Sequence, residues 1–140
     1  MAAGLSEPLY TRDILRLAAS VVPFEPLPRT DGAAELRSPT CGSRVKVAVM
    51  LDEGRVAKIS QKVEACAFGQ AAAALMAEAA PGSDLAEARV ALAGVEAWLG
   101  GDDAAAPQLA PLKPARVRPG RHGAILLPFR ALVAAIEDAA

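Results

Sequence analysis

The stretch Arg44-Val45-Lys46-Val47-Ala48-Val49-Met50-Leu51 decides the fold, together with the turn Asp52-Glu53-Gly54-Arg55 and the return segment over residues 56–63. Within residues 44–51, Val45, Val47, Val49 and Leu51 share one parity, and Arg44, Lys46, Ala48 and Met50 share the other. Successive side chains of a strand point to opposite faces, so period two with β-branched residues on one side predicts a half-buried strand. Gly54 can take positive φ in the tight turn, which makes residues 56–63 the antiparallel partner. Residues 34–38 read as a weaker third strand.

Outward from this hairpin the periodicity becomes helical. Residues 9–22 carry Thr11 as an N-cap, Asp13 near the positive helix end, and an apolar stripe of Ile14, Leu15, Leu17 and Ala18. Pro23, Pro26 and Pro28 end that helix and impose an extended linker to about Thr30. On the other side, residues 70–80 form an Ala-rich helix stopped by Pro81-Gly82. Ser83, with Glu87 close behind, opens a helix through Leu85, Ala88, Leu92, Val95 and Leu99 to Gly100-Gly101. Residues 102–120, rich in Ala, Pro and charge, read as a loop in which Asp102-Asp103 make a solvated turn. A last helix covers residues 126–139, with Pro128 tolerated only because it falls in the first turn. The expected architecture is α+β: one domain over residues 1–140, a three-stranded antiparallel sheet with helices packed on one face.

Composition narrows the function. A net charge of -1, from 15 basic and 16 acidic residues, gives no general attraction to nucleic acid or anionic lipid. The local exception is residues 113–122, where Lys113, Arg116, Arg118 and Arg121 stand with no acid among them; a solvated loop or a docking surface for an acidic partner would look like this. No segment reads as a signal peptide or a membrane span, and two cysteines make no disulfide framework. A cytoplasmic protein is expected.

The chemistry-bearing residues flank the hairpin. Cys41 lies in the loop Ser38-Pro39-Thr40-Cys41-Gly42-Ser43 before one strand, and Cys66 follows the neighbouring strand where a helix begins. A hairpin brings such ends together, so both thiols are expected at one edge of the sheet. The positive end of a helix favours thiolate, the form that binds metal or attacks sulfur. The two thiols could also serve as a reversible disulfide if their Cα atoms lie within about 7 Å.

These words resemble the iron–sulfur cluster assembly scaffold family of the IscU and NifU N-terminal type. Its signature is a Pro-x-Cys-Gly-Asp loop, a hairpin, and a Gly-Cys or Ala-Cys helix start; here the counterparts are Pro39 to Ser43 and Ala65-Cys66. Leu9-Tyr10, the acidic Gly turn, and the tail over residues 121–138, with Ala131-Leu132 and Ala135-Ile136, extend the likeness over nearly the whole chain. The resemblance implies the family fold and a non-enzymatic role in cluster assembly. It also implies binding of iron, an iron–sulfur cluster or zinc through cysteines, with a cysteine desulfurase and other assembly proteins as partners.

It further implies a ligand set of three cysteines and an aspartate, of which Cys41 and Cys66 take the first two places. Ser43 stands at the aspartate, Ala124 at the third cysteine, and Gly123 at the preceding histidine. His122, one residue out of register, is the remaining candidate metal ligand, and Arg121 takes the family's basic position. Two thiolates do not complete a four-ligand site. The alternative is therefore a metal-free relative that serves as a protein-interaction module. A site shared between two copies of the chain is a further way to reach four thiolates.

Overall fold

The computed structural model of the chain describes residues 10–21, 24–39 and 42–140. Three strands, β1 (Gly32–Arg37), β2 (Arg44–Asp52) and β3 (Arg55–Glu64), form an antiparallel meander in the order β1-β2-β3. Glu53 and Gly54 both have positive φ, at 51° and 79°. That is the twist a two-residue hairpin turn requires, and it places a glutamate where glycine or asparagine is usual. Val45, Val47 and Val49 are buried as the alternation predicts. Met50 pairs with Lys58 but Leu51 pairs with Val56, so Ala57 is an extra residue in β3. This bulge turns Val56 inward, and Val56 is buried.

Helix α1 (Arg12–Ala19) is capped as expected: the Thr11 hydroxyl oxygen accepts from the Ile14 N–H at 3.2 Å. Of its expected stripe, Ile14 is buried and Leu17 packs against the core. Leu15 is 52% exposed, because so short a helix packed on one side only buries a narrow line of residues. Residues 9, 22 and 23, assigned to this helix and its stop, lie outside the described residues.

Helix α2 (Ala67–Ala79) begins three residues before the expected start. It is small-sided and almost wholly buried, with Phe68, Gly69 and residues 71–76 all inside. Helix α3 (Leu85–Leu99) is capped by Asp84 rather than Ser83. Only the three-residue spacing lets the pair exchange bonds: Glu87 N–H donates to Asp84 at 2.8 Å, and Asp84 N–H donates to Glu87 at 3.3 Å.

Residues 102–120 are not a solvated loop. They fold as 3₁₀ turns at Asp103–Ala105, Pro107–Leu112 and Pro119–Arg121, with the four-residue helix α4 (Lys113–Arg116) among them. Leu109, Leu112 and Ala115 are fully buried. Helix α5 (His122–Ala139) starts four residues before the expected position, and Pro128 is its seventh residue, not part of its first turn. Proline offers no N–H to the Ala124 carbonyl. The helix carries this loss with Pro128 itself buried.

Helices α2 and α5 lie against the Val45–Val47–Val49 face, and α3 packs outside α5. The opposite face is crossed by the linker. The Glu25 carbonyl accepts from the Ser60 hydroxyl at 2.6 Å, and the Lys46 ammonium stands over the Phe24 ring. Ser60 is thereby buried on what would otherwise be a solvent face. Gly32 is required by close approach, since a Cβ there would collide with the Ala135 carbonyl of α5. Beside it, the Asp138 carboxylate accepts the Ala33 N–H at 3.0 Å, closing part of the outer edge of β1. Among the described residues, no helix is long and apolar enough to cross a membrane.

Candidate functional site

Three element starts converge at the end of the sheet where β2 begins and β3 ends. Arg44 and Glu64 face one another there in register, and Arg44 Nη2 donates to Glu64 Oε2 at 2.6 Å. Immediately before β2, Ser38 N–H donates to the Ser43 carbonyl at 2.9 Å and Gly42 N–H donates to the Ser38 carbonyl at 3.1 Å. These bonds fix where the Cys41 loop leaves and returns, and Ser43 is buried at its foot. Cys41 itself lies outside the described residues, and with it the expected approach of the two thiols.

Immediately after β3, Ala65 and Cys66 lead into α2. Cys66 is the N-cap residue, in extended backbone conformation at φ -65° and ψ 171°. Its carbonyl accepts the Gln70 N–H at 2.9 Å, and the Gln70 amide returns to the Ala65 carbonyl at 3.1 Å. The thiol makes no capping hydrogen bond and is half-buried. The sulfur thus stands at the head of α2 without a bond to the helix backbone.

The third element is the first turn of α5. A Cβ on Gly69 would stand 3.3 Å from both the Cβ and the carbonyl oxygen of Ala124, and 2.7 Å from the Ala65 Cβ. Gly69 lies one turn beyond Cys66, so Ala124 is held against the head of α2, where the aligned third cysteine is expected. Its methyl group is fully buried. Position 124 therefore lies in the first turn of α5 against α2, and alanine supplies no ligand there.

His122, the other candidate, is half-buried, with Nε2 2.7 Å from the Arg116 carbonyl. A carbonyl only accepts, so Nε2 is the donor in this contact, and Nδ1 is the ring nitrogen left to act as a ligand. A histidine that anchors one nitrogen on a backbone carbonyl is oriented as metal-bound histidines commonly are. Arg121 is half-buried, with its guanidinium 6.0 Å from the centre of the Phe68 ring, and Tyr10 stacks on the same ring at 5.2 Å. Among the described residues, no three of histidine, cysteine, aspartate and glutamate are gathered around one point where a metal ion could bind.

Sequence reasoning missed the junction beside this turn. The Arg116 guanidinium lies 4.1 Å from the centre of the Trp98 ring, and Arg116 Nη1 meets Asp103 at 2.6 Å. The Arg116 side chain is only 18% exposed, and its Nε and Nη2 are buried without a hydrogen-bond partner. Hydrogen bonding to Arg116 and the nearby Lys113 charge hold the Asp103 carboxyl below the usual aspartate range. No short-range pattern links a tryptophan to an arginine eighteen residues on.

Residues 23–111, more than half of the chain, match the family model of the NifU-like N-terminal domain. Among solved structures, a nitrogen-fixing NifU-like protein (N-terminal) from Brucella abortus superposes with a TM-score of 0.83 at 29% identity, over 94% of each chain. A protein proposed as an iron–sulfur cluster assembly scaffold for the SUF system of Fervidobacterium islandicum AW-1 superposes with a TM-score of 0.81. At 19% identity, over 96% of this chain and 99% of that one, it attests the fold. No functionally curated protein matches the chain.

Proposed function

The chain belongs to the NifU-like N-terminal domain family, and from that premise we propose that it is a scaffold-like protein of iron–sulfur cluster assembly. Its cargo is iron, an iron–sulfur cluster or zinc, taken up through the thiolates of Cys66 and Cys41. The observation that carries this reading is Cys66 at the head of α2, its thiol uncommitted, with the first turn of α5 packed beside it. Soft thiolate donors suit both iron and zinc. The role is that of an assembly factor and not an enzyme, with a cysteine desulfurase as the expected partner in the cytoplasm.

The donor set falls short of what such a cargo needs. Counting both thiols and Nδ1 of His122, the chain offers three donors where structural zinc takes four. Ser43 and Ala124 hold the remaining places without supplying thiolate or carboxylate. Binding of this kind is loose and depends on pH, because each thiol must lose its proton. The same two residues favour a second reading, in which the fold is kept as a metal-free interaction module.

Zinc competition against a chromophoric chelator, without air, separates the two. We expect weak binding by the natural chain that is lost in Cys66→Ser. Ser43→Asp combined with Ala124→Cys is expected to tighten binding beyond the product of the single effects, since both new ligands act on one ion. Wild-type binding as tight as the double variant's would overturn the ligand assignment. No binding by any of the variants would leave the interaction module.

A further inference from the structure

We propose that the segment from Lys113 to Arg121 is a docking surface for an acidic protein segment carrying an aliphatic side chain. Four cations stand within these nine residues, and no acid does, in a chain whose net charge is only -1. The structure sorts them. Asp103 neutralises Arg116 and reaches Lys113 at 3.6 Å, whereas among the described residues neither Arg118 nor Arg121 takes part in an ion pair. Between Arg116 and Arg118 stands Val117, 80% exposed, the most exposed of the large apolar side chains described.

The segment is rigid rather than trailing. Leu112 and Ala115 anchor it in the core, Arg118 N–H donates to the Ala115 carbonyl at 3.0 Å, and Arg121 N–H donates to the Arg118 carbonyl at 2.9 Å. An exposed apolar side chain next to the unpaired Arg118, on a fixed platform, loses little entropy on binding. Charge complementarity then selects an acidic partner and speeds its encounter. Nucleic acid fits less well, because the patch offers a valine where a base would want an aromatic face. The surface adjoins the candidate site through Arg121 over Phe68, two residues beyond Cys66. A partner seated there would reach the head of α2. The surface rests on charge and exposure, and it stands whether or not Cys66 binds metal.

The test uses the full chain, freed of metal by chelation, and calorimetric titration at low salt. The probe is a synthetic peptide of glutamates around one leucine; a leucine-free glutamate peptide and a single-stranded oligonucleotide of equal charge serve for comparison. We expect the leucine peptide to bind best and to weaken steeply with added salt. Arg118→Glu is expected to weaken it about tenfold, and Val117→Ser about threefold. Lys58→Glu, near the hairpin end of β3, is expected to leave it unchanged. Equal losses in Arg118→Glu and Lys58→Glu would overturn the proposal, as would tighter binding of the oligonucleotide, indifference to the leucine, or no binding at all. Circular dichroism confirms that each variant is folded.

Discussion

Gly69 is the residue on which the geometry of the candidate site turns. Its missing Cβ lets the first turn of α5 close on α2 beside Cys66, with Ala65 and Ala124 on either side. Alanine favours helix over glycine by about 1 kcal/mol. Here the added methyl would stand 2.7 Å from the Ala65 Cβ, at a turn that cannot swing aside like a long side chain. Overpacking of this kind costs about 1–3 kcal/mol, so Gly69→Ala is expected to come out net destabilising by about 1 kcal/mol. Urea unfolding followed by circular dichroism measures this. A variant as stable as the parent would mean that the α2–α5 contact is looser than described. Residues bound to near neighbours were legible in the sequence, as Thr11 shows. Asp84 was legible only to a strict count of three to Glu87, and Gly69 not at all, because its constraint comes from α5, far along the chain.

At the scale of elements, the strands were the easiest to read and residues 102–120 the hardest. Alternation announces β2, and it survives the bulge that turns Val56 inward. By contrast, 3₁₀ turns broken by proline produce neither period two nor period 3.6, and Leu109 and Leu112 look like isolated apolar residues in a loop. The early start of α5 was hidden by Pro128, which local rules confine to a first turn. If 107–112 is core structure, Leu109→Ala should cost about 2–4 kcal/mol, the usual loss for a buried leucine. A solvated loop would lose less than about 0.5 kcal/mol. Denaturant midpoints with unchanged slopes distinguish these outcomes.

For the whole molecule, the sheet order and the one-sided helices followed from the sequence, and of the candidate site the placing of Cys66 at a helix start did too. Cys66 and Ala124 come to one place because β3, α2 and α5 share an end of the sheet. That convergence was readable only through the family resemblance, since no local pattern in residues 121–124 announces a ligand position. Acid stability joins the same parts. Asp103 has its carboxyl pKa lowered by the hydrogen bond from Arg116 and by Lys113, and Asp31 has its own lowered by Arg29 and the Leu51 N–H. A lowered carboxyl contributes stability that is complete above its ordinary value of 3.8 and is lost as pH falls through the lower folded value. Acidification from about pH 6 to about pH 3 is therefore expected to lower the urea midpoint less in Asp103→Asn than in the natural chain. Equal losses would show that the Arg116–Asp103 pair is not formed in solution.

The stacking of Arg116 on Trp98 has a consequence for how the molecule is watched. Trp98 is the sole indole of the chain, fully buried at the end of α3 under a guanidinium. Its ultraviolet emission thus reports from one address, the junction of α3 with α4, and is silent about the three-stranded sheet. Peeling of residues 113–121 would redden that light while the far-ultraviolet signature of the strands stayed whole. The chain carries its own lamp, placed beside the basic surface and away from the hairpin.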